Sequence, residues 1–527
     1  MSLMGALYVG ASGIQTGQNA LNTTAHNMSN IDTVGYTRQQ VQQGTRFYNT
    51  ISKTNSANAY QQIGLGVNYS NVKQVRDYFL DKSYRRESGR GAFYETSFDA
   101  IEEMENLFQE LEGEAFADAI DNLWVSVQEL NKDASDATNQ GIFIQRCGEF
   151  ISRAQGVYQG LSNYQDNLNL QIKDKIETMN SYGDRIKDLN DQILKIESAG
   201  FEQANDLRDE RNSLIDELSQ MANISVDDDI EGNKIIKVEG VEFVSADSCN
   251  HMELSLDEVT GFYTPYWKQL AKPDGLGGFD ISSAKVFDLT QDISTDTNTD
   301  IGKIKAMLLA RGDKRATYED VATEAAYKEV SESVVMNVMA EFDQLINKVA
   351  SSINKVFTDN AANWKTEWSG TLGPGGTTEY KIFDTKSGEK LSVMNLMVAE
   401  DVKQAPSLLS FMRTDDKVDQ NAADALKGIF TEEIYTLNPE VKTKTNFVNY
   451  YNNLISQVAN TGSVLKGISE NQVITVDNIS NAREQILGVS ADEELGNMIM
   501  FQNAFNASSR YINVVSQMLE HLLTSLG

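Results

Sequence analysis

The side chains able to transfer protons, attack as nucleophiles or bind metals are few in this chain and stand far apart. Three histidines, His26, His251 and His521, and two cysteines, Cys147 and Cys249, are all that 527 residues offer. No histidine begins an HExxH pair, the spacing that sets two ring nitrogens on one helix face against zinc, and the cysteines form no CxxC pair. They read as two free thiols rather than a disulfide framework. Gly275, Gly277 and Gly278 lack the lysine and hydroxyl that would hold a phosphate, so they read as a loop. Asp296, Asn298 and Asp300 alternate like the opening of a calcium loop. The glycine and glutamate required at the sixth and twelfth positions are replaced by Ile301 and Met307, which leaves a solvated acidic turn. Arg311-Gly312-Asp313 is an adhesion-type tripeptide, but it adjoins a helical segment. Glu102, Glu103 and Glu105 fall mostly on the polar side of a helix and read as a solvated face. No catalytic residue, cofactor site or metal ligand is assigned, and the chain reads as non-enzymatic.

Composition narrows the partners. Asp plus Glu total 76 against 45 Lys plus Arg, for a formal net charge of -31. Such a surface repels phosphates and anionic lipid heads, so neither nucleic acid nor membrane is an expected partner. No apolar run approaches the roughly 18 residues of a membrane span. Lys and Arg are absent before Arg38, so no basic leader region is expected, and export would use a route without a cleaved signal.

The elements that position these side chains begin with two unusual ends. Asp32 is the sole formal charge between Met1 and Thr37, and Arg510 and Glu520 are the pair between Leu495 and Gly527. Leu7, Ala11, Ile14, Gln18, Leu21, Ala25 and Met28 step by fours and threes. So do Leu495, Met498, Gln502, Phe505, Ser509, Ile512, Ser516, Leu519, Leu523 and Leu526. That repeat is the seam of a coiled coil or a close helix array, although ordinary amphipathic caps would show it too. Gly5, Gly10, Gly13 and Gly17 together cost a helix about 2–4 kcal/mol against alanine. A helix carrying them is expected to order only where neighbours pack closely over its small residues.

Inward, Phe98 to Leu111 marks a helix broken by Gly113, and Phe116 to Leu130 another. A long amphipathic stretch runs from Phe150 to Ile193, is interrupted at Gly200 and resumes through Leu207, Leu214 and Leu218. Tyr327 to Ile353 and Phe447 to Ile486 add further helices. Ile235 to Val244 reads as a hairpin turning at Glu239-Gly240. The predicted fold is mostly α with inserted β-rich domains. Residues 1–45 with 488–527 form a terminal helical assembly domain, and 46–222 with 301–360 and 441–487 a helical-bundle rod. Residues 223–300 form a β-rich insertion and 361–440 a second, mixed one.

Ala20-Leu21-Asn22-Thr23-Thr24-Ala25-His26-Asn27-Met28-Ser29-Asn30 and Thr33-Val34-Gly35-Tyr36-Thr37-Arg38-Gln39 resemble the N-terminal signature of flagellar axial proteins. Ser29 and Asp32 stand where that signature usually has alanine and asparagine. The run Ala204 to Ser219, the stretch Gly488-Val489-Ser490-Ala491-Asp492-Glu493-Glu494-Leu495 and the helix through Phe501-Gln502-Asn503-Ala504-Phe505 are similar to segments of the hook-associated FlgK family. The resemblance implies a structural subunit of the bacterial flagellum joining hook to filament, exported through the flagellar type III apparatus. It implies self-association in a ring or tube, hook protein below, a second junction protein above, and an export chaperone at the C-terminal helix. The residues expected to serve assembly are Leu3, Leu7, Ile14, Leu21, Asn30, Thr33, Gly35, Tyr36 and Arg38. At the other end they are Leu495, Met498, Phe505, Ile512, Leu519 and Leu523, which also face the chaperone. A hook or distal-rod protein shares the first signature, and a secreted coiled-coil adhesin is the alternative from another class.

Overall fold

The computed structural model describes residues 3–46, 48–53, 60–109, 115–200, 202–273, 279–372, 378–386 and 390–526. Leu111, Gly113 and the glycines at 275–278 and 373–376 lie outside them. The chain is mostly helical with small antiparallel sheets, as expected. It divides into two compact units, one of Met1–Arg90, Thr178–Met252 and Gln472–Gly527, the other of Gly91–Glu177 and Glu253–Asn471. These units cut across the four domains expected from sequence. The 223–300 segment is shared between the units at Met252, and 46–222 at Arg90 and Thr178.

In the first unit the two chain ends lie together, as helices Leu3–Ser29 and Ala491–Leu526 packed against each other. Helix Asn205–Met221 follows Gly200, whose φ of +70° ends the long helix Ala137–Glu197. Lys234–Val238 and Val241–Val244 form the expected hairpin. Glu239 (φ 48°) and Gly240 (φ 80°) supply the two positive φ angles of its tight turn. Ile224–Asp228 adds a third strand.

Residues 39–45 of the terminal segment and 46–74 of the rod segment correct the helical expectation. Gln39–Thr45 pairs antiparallel with Val67–Gln74, and Tyr48–Lys53 with Tyr60–Gly64. The first pair reads QQVQQGT against VNYSNVKQ. Gln, Asn and Ser give no apolar alternation, so the strand period is invisible even though the backbone ladder forms.

The second unit is built around helix Val334–Asn360, which is buried nearly all round. Phe342 meets Phe116 and Phe108 with ring centroids 5.0 and 5.7 Å apart, and Phe116 meets Phe150 and Tyr451 at 5.5 and 5.0 Å. The mixed segment 361–440 shares this core: Trp364, Phe383, Phe411, Leu426 and Phe430 are buried in the same cluster. Its strands are two or three residues long, too short to close a core of their own.

One side chain differs from the sequence reading here. Asp300 is fully buried and accepts from the Tyr94 hydroxyl at 3.2 Å, so that turn is not solvated throughout. Arg311 is buried, stacks on Phe262 and donates to Asn169 Oδ1 and the Tyr263 carbonyl, so the tripeptide is not displayed for adhesion. Cys147 is a fully buried core residue.

Candidate assembly site

The three stretches that resemble flagellar proteins converge in the first unit on one polar junction. Asn27, near the end of the N-terminal helix and almost fully buried, is its pivot. Its Oδ1 accepts from the Tyr36 hydroxyl (2.8 Å) and the Gln39 amide (3.0 Å). Its Nδ2 donates to the Gln39 carbonyl (2.8 Å) and Glu494 Oε2 (3.2 Å). All four bonds an amide side chain can make are therefore filled. Glu494, 2 % exposed in the first turn of the C-terminal helix, also accepts from Arg38 Nε at 2.9 Å, while Arg38 Nη1 reaches Glu493 at 2.7 Å. Carboxylates in that turn face the positive end of the helix dipole. The Arg38 amide donates to the Leu487 carbonyl.

The middle motif closes the other side. Asp209 of helix Asn205–Met221 accepts from the Thr37 amide (3.0 Å) and hydroxyl (2.6 Å) and from Gln74 Nε2 (2.8 Å). Burial lifts the Asp209 carboxyl to about 6 in spite of those donors and Arg76, with the Asp206 charge adding to the rise. Arg76 pairs with Asp81 (2.7 Å), Arg483 bridges Asp81 and Asp216 (2.8 and 2.6 Å), and Arg85 also holds Asp216 (2.7 Å). Burial alone would raise the Asp81 carboxyl, but the Arg76, Arg483 and Arg85 guanidiniums hold it below the usual range. The Tyr36 hydroxyl is pushed up, by burial first and then by Asp206, Asp209 and Glu494.

The turn between these groups needs Gly35, whose φ is +81°. The reason is conformational, since a Cβ there would meet nothing closer than Ser213 at 3.9 Å. Glycine serves crowding in the helix pair instead. A Cβ on Gly10 would lie 2.5 Å from Ile512 Cγ1, one on Gly13 2.5 Å from Ser508 Oγ, and one on Gly17 3.3 Å from Phe505 Cβ. The close approach expected of these glycines is realised within one subunit.

The buried face of the N-terminal helix is Ala6, Gly10, Ser12, Thr16, Gly17, Ala20, Thr24 and Asn27. The expected Leu7, Ile14, Leu21 and Met28 flank it half-buried, and Ala11, Gln18 and Ala25 are exposed. On the C-terminal helix, Met498, Phe505, Ile512 and Leu519 of the expected seam are half-buried, whereas Leu495 and Leu523 are exposed. Ile499, Met500, Val514, Met518 and Leu522 are also exposed. Met500, Tyr511, Val514, Met518 and Leu522 recur at helical spacing and form an open apolar stripe.

Residues 101–362 match the family model of the flagellar hook-associated protein FlgK helical domain. Residues 7–37 match that of flagella basal body rod proteins, and 485–525 that of the flagellar basal body rod FlgEFG C-terminal region. Flagellar hook-associated protein 1 of Bacillus subtilis is 27% identical over 519 residues, covering 97% of this chain and 96% of its own. That of Salmonella typhimurium is 23% identical over 561 residues, covering 97% and 98%. The chain belongs to the FlgK family. The flagellar hook junction protein FlgK of Burkholderia pseudomallei shares the fold. It has a TM-score of 0.54 at 13% identity over 77% of this chain and all of that one. Rod-type profiles match both ends, but the interior match is to FlgK, which separates this chain from hook and rod proteins.

Among the residues expected to serve assembly, Tyr36 and Arg38 lie inside the junction, while Asn30 and Thr33 shape the turn above it. Asn30 Nδ2 caps the His26 carbonyl and its Oδ1 accepts from the Thr33 hydroxyl. Leu3 is half-buried near the helix start. Residue-by-residue reasoning from sequence passes over Asn27, Thr37, Asp209 and Glu494. Each stands inside a stretch similar to the family, and that similarity is the available signal.

Chemistry is sparse. His26 Nδ1 lies 3.0 Å from the Tyr36 hydroxyl, and His521 is exposed on its helix. His251 lies beside Asp184 and Cys249, the one mixed group of metal-ligating side chains among the described residues. Burial, reinforced by Asp184, pushes the Cys249 thiol up to about 12, and burial pushes Cys147 well up too, so neither is an activated nucleophile.

Proposed function

We propose that this chain, a structural protein of the flagellar hook–filament junction, builds into that junction through the open faces of its terminal helix pair. The observation that carries the reading is the stripe Met500, Tyr511, Val514, Met518 and Leu522 together with exposed Leu495, Ile499 and Leu523 on the same helix and exposed Met4 and Tyr8 on the N-terminal helix. Apolar surface of that extent on two charge-poor helices is stabilised when other subunits cover it. Copies of this chain would surround one another in a tubular layer, with hook protein on one side and the second junction protein on the other. Before export a chaperone would cover the C-terminal helix, and the subunit would leave unfolded through the flagellar apparatus. The role is non-enzymatic.

The test is a chain carrying Val514→Ser, Met518→Ser and Leu522→Ser, expressed in cells lacking their own copy. The expected outcome is a folded, secreted protein, and cells bearing hooks without filaments. Normal filaments would overturn the reading.

A further inference from the structure

We propose that Asp184, Cys249 and His251 bind one zinc(II) ion or a similar borderline-soft divalent transition metal. The Cys249 sulfur, a carboxylate oxygen of Asp184 and a ring nitrogen of His251 all lie within 4.8 Å of one another, with His251 Nε2 2.8 Å from Asp184 Oδ1. Ligands at about 2.0–2.3 Å from zinc in a tetrahedron stand about 3.3–3.7 Å apart. Closing on an ion therefore moves these atoms by roughly 1 Å or less, and half-exposed Asp184 and His251 have room to do so.

The frame around the three donors is fixed. Asn180, one helical turn before Asp184 and on the same face, donates to the Met252 carbonyl (2.9 Å) and accepts from its amide (3.0 Å). Across the segment, the Asn250 amide donates to the Phe243 carbonyl at 2.7 Å, its side chain to the Glu242 carbonyl at 3.0 Å, and Val244 bridges Cys249. Cys249 and His251 alternate in an extended run, which sends both side chains to one side. Gly183 completes the fit. A Cβ there would lie 2.6 Å from the Cys249 sulfur and 2.5 Å from Phe243 Cζ, so the helix surface is cleared where the sulfur comes up beside Asp184.

A His–Asp hydrogen bond alone would need neither the thiol nor that clearance. One sulfur, one imidazole and one carboxylate select zinc over calcium or magnesium, which want oxygen alone. Three protein ligands leave a fourth position for water or another donor. The ion would tie residues 249–251 to the long helix.

The full-length chain, stripped with chelator, is titrated with zinc(II) by calorimetry and with cobalt(II) by absorption. One zinc per chain is expected, with an affinity in the micromolar range or tighter, a raised melting temperature, and a thiolate-to-cobalt charge-transfer band. Cys249→Ser removes the band, and His251→Asn and Asp184→Asn each weaken zinc by roughly a hundredfold, while Cys147→Ser leaves the zinc affinity and the band unchanged. Both Asn variants alter half-exposed side chains, so they decide the matter even where the serine variant misfolds. Zinc bound equally well by the Asp184→Asn, His251→Asn double variant, no stoichiometric binding, or a cobalt spectrum without thiolate character would overturn the proposal.

Discussion

The core of the second unit and the terminal helix pair of the first are both helical packings, yet they sort their side chains in opposite ways. Helix Val334–Asn360 turns Val338, Phe342, Leu345, Val349 and Phe357 inward, each nearly or fully buried. The N-terminal helix buries alanine, glycine, serine and threonine and leaves Met4 and Tyr8 about 60 % exposed, and Leu523 of its partner is 71 % exposed. The first arrangement completes itself. The second keeps its backbones close through small residues and holds its large apolar groups in reserve for something outside the chain. Both follow from the same hydrophobic effect, applied in one case to a subunit and in the other to an assembly.

Four experiments can break or sharpen that contrast. The largest effect is expected for Phe342→Ala, which removes a ring from a filled core and should cost about 3–5 kcal/mol of unfolding free energy in urea. A small loss would mean that the core tolerates voids. Next is the pH response of the buried Glu341, raised to about 7 by burial in spite of donors Asn438 and Gln457. Its folded value lies above its unfolded one, so its stabilising contribution is complete below about pH 4.5 and is lost as pH rises to about 7. The loss should reach up to about 3 kcal/mol, and Glu341→Gln should flatten that window when wild type and variant are compared.

Gly10→Ala tests the sign of the helix pair. Propensity alone predicts a gain of about 0.5–1 kcal/mol, whereas the clash with Ile512 predicts a net loss of about 1–2 kcal/mol. Amide exchange across residues 3–29 reads which effect wins. The smallest effect belongs to Met518→Ser, which should leave subunit stability within about 0.5 kcal/mol. A loss of several kcal/mol would show that the stripe is already covered within the chain.

The legible parts of the fold are those whose period or turn chemistry is local. Glu239-Gly240 announces its hairpin, Gly200 its helix end, and the spacing of Phe150 to Ile193 its long helix. The face of the N-terminal helix is harder to read because periodicity follows the largest apolar residues, Leu7, Ile14 and Leu21, while close packing selects the smallest. The strands between residues 39 and 74 escape notice because glutamine and asparagine carry no alternation. The two deepest contacts of the junction are not local. Thr37 meets Asp209 and Asn27 meets Glu494 across separations of 172 and 467 residues, which no window along the sequence can see.

That last separation also orders events in time. The N-terminal helix comes first in the chain, but the carboxylate completing the Asn27 bonds follows 467 residues later. Helices form in microseconds, whereas joining such distant segments is slow and carries the loop-closure cost of the whole span. A chain that stopped before Glu494 would leave Asn27 Nδ2 without one of its two acceptors.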